Sequence, residues 1–90
     1  MRLINVVVLK QIGGKYSLEN HRLNPDHVVS VFEDTQLEKD IGLIKESLPE
    51  LASDHKFSRV ITVNSGGSFA VVEDIDFLTK KLASTNLLKG

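Results

Sequence analysis

Three histidines, His21, His27 and His55, are the side chains of this 90-residue chain best suited to hold a metal or move a proton. A zinc centre needs three or four ligands converging at about 2 Å, and helical ligand pairs usually sit four residues apart. His21 and His27 flank Pro25, with Asp26 beside them, so the two imidazoles can approach each other across one turn. They are read as exposed turn histidines, and no metal ligand is assigned. Nucleophilic chemistry would need a Ser or Thr held by a His that is itself held by a carboxylate. Ser65 and Ser68 lie in a glycine turn with no G-x-S-x-G elbow, and their roles are turn formation and strand-end hydrogen bonds. Gly66-Gly67 belongs to no phosphate-binding motif and joins two strands instead of opening a helix. Glu73, Asp74 and Asp76 have the carboxylates for Mg²⁺, but their place at a helix start gives them a capping and charge role. No catalytic residue, cofactor-binding residue or metal ligand is assigned, and the chain is expected not to be an enzyme.

The elements that carry these residues alternate between short strands and two helical segments. Leu3 to Gln11 is rich in Val, Ile and Leu and reads as a buried strand. Gly13-Gly14 supplies positive backbone angles for a hairpin into a second strand, Lys15 to Glu19. Leu23-Asn24-Pro25-Asp26-His27 is turn chemistry, with Pro25 fixing one angle and Asn24 and Asp26 bonding nearby backbone. A third strand runs to Glu33, with Val29 and Val31 expected on one face and Val28, Ser30 and Phe32 on the other.

Residues 34–56 break the strand pattern. Thr35 and Glu38 match a capping box, and Leu37, Ile41, Ile44, Leu48 and Leu51 then recur at spacings of four, three, four and three. That is one apolar stripe on a helix, which Pro49 should end near Leu48. The stripe either packs on the chain's own sheet or meets a partner. Phe57 to Val63 and Ser68 to Val72 read as the fourth and fifth strands, joined by the turn Asn64-Ser65-Gly66-Gly67. Asp74 caps a final helix carrying Ile75, Leu78 and Leu82, with Lys80 and Lys81 toward its negative end, and residues 84–90 are expected to form a tail.

Composition narrows the class. A 41% hydrophobic and 26% charged chain of this length fits one small globular domain over residues 1–90. Its lack of cysteine excludes disulfides and thiolate metal sites and fits a cytoplasmic setting. The apolar start, Met1 to Lys10, is too short for a membrane span and lacks a cleavage pattern. A net charge of −1 gives none of the basic excess on which phosphate binding rests, so nucleic acid is not favoured as a partner.

The passages YSLENHRLNPDHVVSVFED and FSRVITVNSGGSFAVVEDIDFLTKKL resemble the FlbD-like small flagellar-associated proteins over about residues 3–33 and 57–82. The same element order resembles Sm-like and SH3-like small barrels, with residues 34–56 in place of that fold's most variable loop. Small Sm-like proteins of this size are similar to ones found in phages and bacteria, and they commonly form rings. The resemblance implies a mainly β fold: a strongly bent, five-stranded antiparallel barrel with a helical insertion between strands 3 and 4 and a C-terminal helix. Sm proteins that bind RNA carry an Asp-x-x-Asn type loop and an Arg-Gly pair. Here Asn20-His21-Arg22-Leu23-Asn24-Pro25 and Asn64-Ser65-Gly66-Gly67 stand in those places, so RNA binding is not carried over. LytTR-type DNA-binding domains share the pattern more distantly.

The expected function is therefore a non-enzymatic, self-associating interaction module, without cofactor or membrane partner. Leu37, Ile41, Ile44 and Leu48 are the candidate self-association residues, and ring formation is expected through the fourth and fifth strands of neighbours. The alternative is a nucleic-acid-binding regulator of Sm-like or LytTR-like type, with Arg22, Lys56 and Arg59 on phosphates.

Overall fold

The computed structural model describes residues 3–63 and 67–87. Strands β1 (Ile4–Ile12) and β2 (Lys15–Leu23) form a nine-rung hairpin closed by Gly13 and Gly14, whose φ angles of 58° and 81° are those of a two-residue turn that only glycine adopts freely. The second strand thus runs four residues beyond the expected Glu19. Asn24 caps a 3-10 turn, Pro25–His27, by accepting the Asp26 N–H at 2.9 Å. Strands β3 (Val28–Glu33), β4 (Ser58–Thr62) and β5 (Ser68–Val71) follow, with α1 (Thr35–Lys39) and α2 (Ile41–Ser47) between β3 and β4, and α3 (Ile75–Leu87) at the end.

All pairings are antiparallel, and the strands lie in the order β2-β1-β5-β4-β3. β2 and β3, which the Pro25 turn joins, thus stand at the two ends of the strand order, and no β2–β3 ladder closes the sheet into a barrel. β4 and β5 are inner strands, each with a partner on both sides. The joining of neighbours expected through those two strands lacks a free edge there, and the free edges belong to β2 and β3.

Alternation places two cores on the two faces. Val6, Val8, Val60 and Val71 turn to one face, where Leu78 of α3 is buried with them. Leu9, Tyr16, Phe57 and Ala70 turn to the other, where Ile44 of α2 is buried. Full burial of a side chain such as Phe57, Ile44 or Leu78 contributes about 1.5–3 kcal/mol.

Local departures from the expected pattern have physical causes. β3 carries a bulge: Val28 pairs with Thr62 and Ser30 with Ile61, so Val29 has no rung of its own. The extra residue turns Val28 and Val31 to the same core, against the expected pairing of Val29 with Val31, and leaves Val29 61% exposed. The expected single helix is two short ones, broken at Asp40, which caps the end of α1 and the start of α2. The capping residue of α1 is Asp34, whose carboxylate accepts the Leu37 N–H at 3.1 Å, so the capping box expected at Thr35 begins one residue earlier. Its other half is absent, because a cap at Asp34 puts Leu37 at the third helical position; Glu38 instead accepts the Phe57 N–H at 3.3 Å. α3 begins where expected, with Asp74 accepting the Phe77 N–H at 2.8 Å, but it continues to Leu87 through the segment expected as a tail. Among the described residues, no helix is long and apolar enough to cross a membrane.

Candidate functional site

The outer margin of β3 is built by its ladder with β4. Asp34 N–H bonds Phe57 C=O at 2.8 Å, and backbone direction alternates along an antiparallel strand. Asp34, Phe32 and Ser30 therefore face β4, while the backbone groups of Val31 and Glu33 face outward. Among the described residues, nothing bonds to that outer margin. The strand reads Val-Val-Ser-Val-Phe-Glu, with one charge at its end, and Val29 and Phe32 are exposed. An uncharged edge of this kind is a template for another strand, although the bulge at Val29 twists its first residues.

The carboxylates at the end of β3 are arranged unevenly. Asp34 is buried and takes the Arg59 Nε–H at 2.7 Å, a charge-assisted bond. Glu33 is held above the ordinary carboxylate range, chiefly by the hydrogen bond it shares with Glu38 and then by that neighbour's charge; Lys56 opposes the shift.

The seam that replaces a β2–β3 ladder opens into a cavity of about 380 Å³. Leu3, Val6, Leu23 and Phe69 give it apolar walls. His21, Arg22 and Asn24 at the end of β2, His27 on the 3-10 turn and Thr62 of β4 supply its polar lining. His21 Nε2 lies 2.8 Å from Glu19 Oε1, and Lys10 Nζ stands 3.4 Å from the same oxygen. The His21 hydrogen bond, more than the Lys10 charge, holds the Glu19 carboxyl below its ordinary range. A second cavity of about 310 Å³ lies where β1 and β5 part beyond the Leu9–Ala70 rung, lined by Lys10, Tyr16, Leu37, Arg59 and Phe69 among others.

The residues singled out in the sequence fall into separate environments. Of the cations, Arg59 bonds Asp34 and donates from Nη1 to Ser68 Oγ at 3.0 Å. Lys56 stands 3.5 Å from Glu38 and 3.8 Å from Glu33, while Arg22 lines the seam cavity. Two of the three are thus matched to carboxylates, and Arg22 and Arg59 line different cavities. Of the stripe, Ile44 is wholly buried, and Leu37, Ile41 and Leu48 pack half-buried around it against Tyr16, Phe57 and the sheet. The chain's own sheet covers that stripe.

The candidates for chemistry are likewise dispersed. His21 and His27 line one cavity, as their spacing around Pro25 allows, whereas His55 Nε2 sits 2.7 Å from Val72 C=O and its ring meets Phe57 edge-on. Glu73 accepts the Val7 N–H at 3.3 Å and takes Lys81 at 3.2 Å, while Asp74 caps α3. Among the described residues, no group of three His, Cys, Asp or Glu side chains is placed to hold a metal. The Ser65 and Gly66 positions lie outside the described residues. Sequence reasoning missed the β3 margin, for which the missing charges along Val28–Phe32 were the available signal, and the seam cavity, which only the strand order reveals. Comparison with protein-family models, with curated proteins and with solved structures finds no match.

Proposed function

We propose that this chain is a non-enzymatic interaction module that pairs with a second copy of itself through the outer margin of β3. The observation that carries this reading is the uncharged run Val28–Phe32 at a sheet edge, paired to β4 on its inner side alone, with Val29 and Phe32 exposed. Two β3 strands laid antiparallel form an isologous contact, which closes on itself as a dimer. The sheet order leaves β2 and β3 without a ladder between them, so the outer margin of β3 has no strand partner. A ring would instead require β3 of one copy to meet β2 of the next, where Ser47 already occupies the Tyr16 N–H. We place the module in a reducing compartment such as the cytoplasm, in keeping with a chain free of cysteine.

Light scattering and sedimentation at micromolar concentration test this reading. The expected species is a dimer, and the double variant Val29→Lys, Phe32→Lys is expected to be a monomer with stability changed by no more than about 0.5 kcal/mol, because both side chains are exposed. A monomeric parent, or a dimer that the two lysines leave intact, overturns it. The nucleic-acid alternative draws less support, because Lys56 and Arg59 stand against carboxylates. Salt-sensitive binding of single-stranded RNA or duplex DNA would restore it.

A further inference from the structure

We infer that the second copy docks in one register, with the two Phe32 side chains opposite each other on the twofold axis and Val31 of each chain paired to Glu33 of the other. This register presupposes the β3 pairing proposed above and fixes what that pairing leaves open. Outward backbone groups belong to Val31 and Glu33, whereas Ser30, Phe32 and Asp34 turn theirs to β4. In an antiparallel pair outward groups must meet outward groups, so the axis passes through a residue. An axis at Ser30 or Val31 sends Val31 or Glu33 to the partner's Val29, the bulged residue, where the regular backbone direction is lost. An axis at Glu33 sets like carboxylates directly opposite and runs the rest of the contact into α1, which starts at Thr35. With Phe32 on the axis, Val31 meets Glu33 twice over, and each such pair exchanges both of its N–H···O bonds. None of those rungs touches the bulge.

The side chains agree with that choice. Val31 packs against the core that contains Leu78 of α3, and neighbours on a strand alternate, so Phe32 lies on the face away from α3. It is 45% exposed and ends a cross-strand row that runs from Ala70 through Arg59 to the sheet edge. A pair on the axis is a non-hydrogen-bonded one, whose Cα atoms stand about 4.5 Å apart and whose side chains come closest. Two aromatic rings placed there cover each other and withdraw apolar surface from water. α3 packs against β3 from the other face and stays clear of the rings.

The chain has no cysteine, so a single introduced thiol reports on one position. Phe32→Cys, oxidised at a concentration where the parent is a dimer, is expected to double in mass on a non-reducing gel. The separation of about 4.5 Å lies within the range of roughly 4.4–6.8 Å that a disulfide spans between Cα atoms. Ser30→Cys, exposed on the same face, should keep its single mass, and a tagged Ser30→Cys chain should not capture Phe32→Cys. Isotope-filtered NMR of mixed labelled and unlabelled parent chains should place each Phe32 ring against the other Phe32 and not against Ser30. That measurement needs no substitution, so it holds even where a variant associates more weakly. A disulfide between the Ser30→Cys and Phe32→Cys chains, or a ring seated on the partner's Ser30, overturns the register and leaves β3 pairing standing. A dimeric parent whose rings make no contact, with Phe32→Cys never cross-linking, overturns it as well. A monomeric parent removes the β3 pairing itself, and the register with it.

Discussion

β2 and β3 are both outer strands of the same sheet, and the chain treats them differently. β2 is nine residues long, carries Lys15, Glu19, His21 and Arg22, and has one outward N–H already occupied: Tyr16 donates to Ser47 Oγ of α2 at 3.1 Å. β3 is six residues long and apolar up to Glu33 but for Ser30; α3 packs against it, and no described group hydrogen-bonds its outer backbone. Charge, length and a covering helix are alternative means of preventing strand addition; β2 has charge and a helix that bonds its backbone, where β3 has brevity, a bulge and a helix that bonds none of its outer backbone. On the proposed reading, the margin with no bonded neighbour is where a partner strand is accommodated.

The largest expected effect comes from removing what holds the cover over β2. Ile44 is the wholly buried anchor of α2, seated among Leu9, Tyr16, Phe57 and Ala70. Ile44→Ala should lower stability by about 3 kcal/mol, within the usual range for a buried large-to-small change. The loss of anchoring should also speed amide exchange at Tyr16 more than at Val60 in the inner strand. Urea unfolding and hydrogen exchange measure both. If exchange at Tyr16 were unchanged, α2 would not be the guard of β2, and the contrast between the margins would reduce to charge alone.

A smaller change isolates the hydrogen bond itself. Ser47→Ala removes the acceptor of the Tyr16 N–H while leaving the helix packed, and should cost about 1 kcal/mol in the same urea assay. It should also make β2 more receptive to strand addition. A parent dimer that becomes a mixture of larger species in this variant would show that β2 competes with β3 once uncovered. An unchanged dimer would assign the protection of β2 to its charged side chains.

Much of this architecture was legible in the residues, because the signals were local. Gly13-Gly14 can close a hairpin by itself, Asn24-Pro25 turns the chain by itself, and Asp74 caps its helix through a bond spanning three residues. The stripe from Leu37 to Leu51 was legible as apolar, but not as one that the chain's own sheet covers, since an apolar face has the same spacing whether it meets its own sheet or another chain. What escaped was set by distant partners. The bulge at Val29 adds one residue to a run of β-branched side chains, and nothing in residue type distinguishes an alternation from a slipped one. The full length of β2 was hidden because Asn20, His21 and Arg22 are polar, as a strand margin outside both cores permits. Ring assembly through strands four and five rested on fold resemblance, and the strand order moves the free edges elsewhere.

The smallest expected effect compares one glutamate from each outer strand. Glu19 on β2 is bonded by His21 and faces Lys10, so its carboxyl titrates below the ordinary range; Glu33 on β3 shares a hydrogen bond with Glu38 and titrates above it. The two therefore contribute opposite pH dependences. Glu19 adds stability that is present above its unfolded value and lost as pH falls through its depressed folded value. Glu33 holds its proton more tightly when folded, so its contribution is present below its unfolded value and lost as pH rises through its raised folded value. Side-chain carboxyl NMR from pH 2 to 8 should find Glu19 titrating first on the way up and Glu33 last of the two, with Glu38→Gln moving Glu33 down and leaving Glu19 in place. Glu33 closes the β3 margin, so a β3–β3 dimer brings two such carboxylates toward one interface. Association should then strengthen modestly as pH falls through the Glu33 transition. Weakening over that interval would place the subunit contact away from β3, whatever the order of the two titrations.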